Sequence, residues 1–543
     1  MKHTYLLYLV MGSGIFFSSC KKGFLDIATN ENISKEQVFS SLDFTEKFVN
    51  NIYTGIPNGF DRVGEFVSLN ALSDEGEPTF KQQAKEFNGG GYNASYFPVS
   101  SPSWANTYKN IRKTNLLLAN IGGVPANGEA DEQLKQRLRG EALFLRSFFY
   151  FDLLKFFGPF IISDRPLDVN ENLQLPRNSY DECVAFLEKS LDEAIKLLPV
   201  TFDAGTGYGR ATKGMCMALK SRLLLYAASP LNSADNAARW QKAAAAAKAV
   251  IDLNAYALYT KNTDKVINYQ QIFQDYGNPE LIMSLNFGAG KSLEQAFFPP
   301  GNSGWGNTVP TQEMADAYET SDGLLITDTG SVYNAARPYE NRDPRFYASV
   351  LYHGQPFKGR KLDCSTTGID GIRTSNNATT TGYYLRKYIN ENINLNTGAG
   401  RTMYWVWFRL AEMYLNYAEA ANEVTANPSQ DPLIYTYINL IRARSGMPAL
   451  PAGLDKAAMR KRIRHERQIE LAFEEHRFFD IRRWKTGETH LNGYTHGIEW
   501  TPDGSSYKIV EVFSRIFQQK MYYMPIPQSE VDKDKQLQQN NGW

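Results

Sequence analysis

Neither sign of charge dominates this chain: 58 lysines and arginines balance 58 aspartates and glutamates across 543 residues. That balance argues against broad electrostatic attraction to nucleic acid, and no nucleic-acid partner is expected. Cysteine is scarce, with four in all. Beyond Cys20, Cys183, Cys216 and Cys364 are odd in number and show no CxxC spacing, which argues against a zinc site or a disulfide framework. Cys183 and Cys216 fall in apolar helical patterns and read as buried, inert thiols. There is no GxSxG, no Walker loop and no GxGxxG followed by an acidic residue, so nucleophilic catalysis and nucleotide binding find no support. "GGGYN" at 89–93 lacks a strand–helix context. After the N-terminus no run is long and apolar enough to span a bilayer.

What is present begins at the N-terminus, "MKHTYLLYLVMGSGIFFSSCKKGFLD". Tyr5 to Phe17 is apolar but shorter than the about 20 residues of a membrane span, and suits the core of a signal peptide. Ser18 and Ser19 then precede Cys20, which looks like a bacterial lipobox with Cys20 as the lipidated first residue of the mature chain. The bland alternative is ordinary cleavage near Ser19 beside an incidental cysteine. We expect a signal peptide over 1–19, a lipidated tether over 20–33 and a single domain over 34–543.

The domain reads as mostly α-helical. "SKEQ" at 34–37 is a capping box that starts a helix expected to run through Tyr53. Strong helical periodicity begins near 130, where Leu134, Leu138, Ala142, Leu145, Phe149, Leu153 and Phe156 recur at spacings of three and four. Gly158 and Pro159 end that helix. A second capping box, Ser179 to Glu182, opens the next, and two more follow by 253. Three further helices are expected over 403–486. Their small/large alternation resembles tetratricopeptide (TPR) helix hairpins, whose pairs must stack to bury their apolar faces. Between the two blocks lies a loop-rich insertion, about 275–400, set with aromatics. Long loops on a rigid helical scaffold are typical of binding proteins.

The most charged stretch, "IRHERQIELAFEEHRFFDIRRW" at 463–484, invites a catalytic or metal-site reading. It fails as a metal site. Ile469 stands where HExxH needs its second histidine, and His465 and His476 are about three helical turns, roughly 16 Å, apart. Glu466, Glu470 and Glu474 share one helical face and could pair as glycosidase acids. Arg464, Arg467 and Arg477, however, are interleaved at ion-pairing distance. We expect a structural helix in which Glu466, Glu470, Arg477 and Asp480 pair with Arg409, Glu412, Arg442 or Arg444.

These features together resemble the SusD/RagB outer-membrane lipoproteins of Bacteroidetes. The resemblance is carried by the lipobox and "FLD" at 24–26, "SDE" at 73–75 and "WANTYKNIRKTNLLL". It continues through "RGEALFLRSFFYFDLLKFFG", "ATKGMCMALKSRLLLYAAS", "TVPTQEMADAYETSDG" and "NRDPRF". "FRLAEMYLNYAEAANE", "INLIRARSG", "ERQIELAFEEHRFFDIRRW" and the ending "MPIPQSEVDKDKQLQQNNGW" complete it. It implies a SusD-like fold, a lipid anchor in the outer membrane at the cell surface, and a SusC-type TonB-dependent β-barrel transporter as partner. It implies binding of a nutrient, an oligosaccharide or in some members a peptide, delivered by closing like a lid over the barrel, with no chemistry of its own.

In the resembling family, variable aromatic loops build the ligand site. The corresponding candidates are Tyr92, Asn93, Tyr96 and Phe97 in the first loop, Phe298 and Trp305 in the second, and Asp74 as a hydroxyl acceptor. Rings offer flat faces to sugars and polar groups take their hydroxyls. Trp305 leads, because Gly304 and Gly306 leave its ring uncovered. Phe97 has the alternative of plugging its loop onto the core, and Trp104, Trp405 and Trp407 read as core. No EF-hand-like spacing supports a calcium site, and no cofactor is expected. Two other classes remain: a TPR-like scaffold organising envelope proteins, marked by an exposed apolar groove, and an all-α glycan-degrading enzyme.

Overall fold

The computed structural model describes residues 34–543 apart from 169, 203–206 and 235. The signal peptide, Cys20 and the tether lie outside the described residues.

The helices of the first block form where periodicity places them. The longest, Glu129–Phe157, starts after Gly128 and stops at Gly158, whose φ of 75° is left-handed backbone that a glycine adopts freely. From Gly140 onward almost every residue is buried, because one side of the helix packs on Trp104–Asn120 and the other on Tyr180–Leu197. Ser179 and Glu182 close the second capping box reciprocally. Lys213–Ala228 and Ala237–Asp252 then stack in turn. Ala237–Asp252 packs on Leu410–Val424, so the two helical blocks form one continuous stack although the insertion separates them in sequence. The contact is lined by Ala247, Ala418 and Ala421, small residues that let the helices approach closely. Pro432–Arg444 and Lys456–Glu470 extend the stack, with Tyr414 stacked on Tyr437 at 4.7 Å.

Three local expectations are corrected. The first capping box forms at Ser34, but its helix, Lys35–Val38, lasts one turn, and Ser41 caps a new one, Leu42–Tyr53. Residues 403–409 are not helical. Arg401–Arg409 is a strand, paired antiparallel with Leu281–Gly290. Its apolar residues are buried on both faces, so no alternation marks it, and such a run is indistinguishable from buried helix by periodicity. Trp405 packs edge-on against Phe60 at 4.8 Å, and Trp407 against Phe148 at 5.1 Å, so the strand joins the loop-rich layer to the helical stack. Finally, the charged stretch is two helices, Lys456–Glu470 and His476–Arg483. The break at 471–475 contains Phe473 and Glu475 with φ of 61° and 65°, left-handed backbone that interrupts the helix.

The insertion is pinned by short antiparallel pairs. Gly76–Pro78 pairs with Thr308–Pro310, and Val350–Leu351 with Tyr384–Leu385. The first pair fastens the second candidate loop beside the N-terminal segment, and so brings the two candidate loops to one region of the surface.

Candidate functional site: an aromatic-flanked surface around helix Gln82–Asn88

The charged stretch is architecture. The Glu466 carboxylate is shared by Arg345 and Arg442, the latter at 2.9 Å. Glu470 receives Arg409 at 2.6 Å, Arg345 at 3.0 Å and also Arg444. Glu474 receives Arg409 and the buried Lys387, each at 2.8 Å. Glu475 holds Arg62 at 2.9 Å. The pairs expected for Glu466 with Arg442, and for Glu470 with Arg409 and Arg444, are formed. The others differ: Asp480 takes Arg467 and Arg483, Glu412 takes Arg222, and Arg477 takes Asp74. His465 and His476 are on different helices. Burial, against the opposing Glu466, holds His465 down at about 4, and burial followed by the surrounding cations holds His476 well below its usual range, so both rings are neutral.

Of the loop candidates, three are interior. Asp74 is buried and both its carboxylate oxygens accept from Arg477, at 2.8 and 2.6 Å, which leaves it closed to a ligand. Burial opposes its charge, yet Arg477 holds the carboxyl below its ordinary value. Phe298 is fully buried, edge-on to Phe357 at 5.4 Å. Tyr92 is buried as well, stacked on Phe87 at 4.6 Å with Trp543 on its other flank at 5.1 Å. Phe97 is half-buried and lines a cavity of about 570 Å³ between the first loop and residues 527–532.

Trp305, Tyr96 and Asn93 are at the surface. Trp305 is 39% exposed and its backbone N–H donates to the Gln295 carbonyl at 2.9 Å. Its glycine neighbours are required by packing: a Cβ on Gly304 would lie 2.0 Å from the Phe298 carbonyl oxygen, and one on Gly306 2.7 Å from the Tyr384 ring. Tyr96 is 42% exposed, and its hydroxyl donates to the Glu86 carboxylate. Asn93 shapes the turn beneath it, its Oδ1 accepting from the backbone of Ser95 and Tyr96 at 2.9 and 3.1 Å.

One short helix, Gln82–Asn88, links these rings. At its start, the Thr79 hydroxyl donates to the Gly306 carbonyl, and Lys81 pairs at 2.9 Å with Glu65, whose own carbonyl receives the Asn307 amide. Towards its end, Glu86 receives Tyr96. The Trp305 loop is thus tied to the segment leading into this helix, Tyr96 is tied to its last turn, and its outer residues, Gln82 and Gln83, are exposed amides. Exposed flat rings on neighbouring segments and hydrogen-bonding amides beside them are what a glycan chain needs. Glu65 and Lys81 were not visible in the sequence as neighbours of the Trp305 loop: the Thr308–Pro310 pairing brings them there, and no local spacing announces it.

Residues 254–543 match the family described as the SusD family. The chain belongs to the SusD family. Its N-terminal part, residues 24–225, matches a family described as "Starch-binding associating with outer membrane". Among solved SusD-like structures, a protein from Bacteroides fragilis is similar with a TM-score of 0.80 at 28% identity, over 93% of this chain and 98% of its own. A SusD-like carbohydrate-binding protein from the same organism gives 0.77 at 23% identity, over 92% and 99%. SusD-like protein P2 of Formosa agariphila is 24% identical over 498 residues, 87% of this chain and 85% of its own. The mostly helical SusD-like fold is shared along nearly the whole chain.

Proposed function

We propose that this protein binds a glycan on the surface of Gln82–Asn88, between Trp305 and Tyr96, and hands it to a SusC-type TonB-dependent transporter as a lid. In this reading it is held at the outer membrane, facing the cell surface, by lipid on Cys20, and it catalyses nothing. The observation that carries the reading is the exposure of Trp305 and Tyr96 on segments tied to one helix, in a chain whose other large rings are mostly buried. Support comes from the carbohydrate-binding relative in Bacteroides fragilis and from the starch-binding, outer-membrane description matched by residues 24–225. The acids that suggested hydrolysis, Glu466, Glu470 and Glu474, are each held by two or more cations, which suits a scaffold better than a general acid.

Calorimetry with the full chain tests this. Trp305→Ala weakens glycan binding by about tenfold or more and leaves the melting temperature unchanged. Unchanged affinity would remove Trp305 from the site.

A second reading has one observation in its favour. A groove of about 630 Å³ runs along Trp104–Asn120, lined by Tyr108, Ile111, Ile161, Leu173, Leu175 and Leu537. An apolar groove of this kind suits a protein segment, as in a scaffold that organises other envelope proteins. Leu175→Asp separates the readings, because it leaves glycan affinity intact if the groove serves only protein contacts.

A further inference from the structure

Around the Gln82–Asn88 helix, nearly every charge has a partner. Lys81 has Glu65, Arg515 has Glu77, and Glu86 has the Tyr96 hydroxyl. Two cations do not. Lys85 is half-buried, and its ammonium donates to the Thr79 carbonyl at 3.2 Å. Arg373 is exposed, its backbone N–H bound to the Thr379 carbonyl at 3.0 Å and its guanidinium reaching the Val512 carbonyl at 3.4 Å. Among the described residues neither forms an ion pair, and Glu511, beside Val512 in its strand, makes none with Arg373.

The two cations belong to the candidate surface. Thr79, which holds Lys85, also binds the carbonyl of Gly306, next to Trp305. A Cβ on Gly306 would lie 2.8 Å from the Asn377 carbonyl, so the loop bearing Arg373 abuts the Trp305 loop. At the other end of the helix, Gly89 lies against the ring of Phe513, the neighbour of the residue that anchors Arg373. Burial first, and then the positive charge of Arg373, lower the Lys85 ammonium below its ordinary value, against the opposing charge of Glu77.

We infer that Lys85 and Arg373 form a subsite for an anionic substituent, a carboxylate or a sulfate ester, on the glycan bound beside Trp305. Glu77 is the carboxylate that reaches Lys85, and it is already bound by Arg515, so the two like charges remain unfavourable until an anion joins them. An ammonium and a planar guanidinium together recognise the several oxygens of such a group. The protein is then a receptor for acidic glycans, despite the zero net charge of the whole chain. This rests on the reading that a glycan lies on the Gln82–Asn88 surface.

The test is calorimetry of the full chain with three probes: an oligogalacturonide, a sulfated galactan oligosaccharide and a neutral β-glucan oligosaccharide. At least one charged probe binds more tightly than the neutral one, and which of them does so identifies carboxylate or sulfate. Its affinity falls with added salt and weakens by about tenfold in Arg373→Ala or Lys85→Met, while any neutral binding changes by less than about twofold. Arg373 is exposed, so its variant keeps the test valid if Lys85→Met melts early. Preference for the neutral probe, or indifference of charged-probe binding to both substitutions, overturns the acidic subsite. If Trp305→Ala still abolishes binding in that case, the glycan-binding reading stands alone. Binding of none of the probes by the wild type counts against both.

Discussion

Both carboxylate oxygens of Asp74 accept hydrogen bonds from Arg477, 403 positions away in the chain. A buried pair of this kind adds little net stability but is costly to break singly, because the remaining charge is stranded. Arg477→Ala therefore lowers stability by about 3–5 kcal/mol in denaturant unfolding, and the folded fraction keeps its glycan affinity. A fully stable variant with lost affinity would return this residue to the binding site. The same pair shows why Asp74 misled. Its own neighbourhood, "SDE", reads as a polar loop, and nothing local announces a guanidinium from the far end of the chain. Trp305 has a local marker instead: glycines flank it, and packing against Phe298 and Tyr384 requires them. Tyr92 and Phe298 have no such local marker, and tertiary packing on Phe87 and Phe357 decided their burial.

At the scale of elements, the helices with caps and apolar periodicity were readable, and the elements defined by partners were not. The strand Arg401–Arg409 needed Leu281–Gly290 beside it, and the break at 471–475 needed Arg62 to hold Glu475. Ion pairs tie these elements together, and they carry a pH dependence. Burial alone would raise the Glu419 carboxyl, but Arg483 overrides it and holds Glu419 at about 2, against an ordinary 4.5. A carboxyl depressed in the folded state contributes stability that is complete above its unfolded value and is lost as pH falls through its folded one. The stability difference between wild type and Glu419→Gln is thus widest above pH 4.5 and closes as pH falls towards about 2. A gap that stays constant across that window, followed by thermal unfolding, would contradict the pairing. Glu475, raised by burial in spite of Arg62, works with the opposite sign, which is why the single substitution is the cleaner probe.

At the scale of the whole molecule, one hydrophobic core runs from Ile52 to Leu537 and includes residues from the N-terminal segment, both helical blocks and the insertion. The helical stack and its network of buried charges form one packed body, and the surface around Gln82–Asn88 lies on it. Motif order along the chain made the family legible, whereas the proposed site depends on the insertion folding back onto residues 76–79. The most direct measurement is a crystal structure of the protein with a bound oligosaccharide. The account predicts sugar rings on Trp305, hydroxyls at Gln82 and Gln83, and any acidic substituent at Lys85 and Arg373. An oligosaccharide seated instead in the groove along Trp104–Asn120, with Trp305 uncovered, would contradict it.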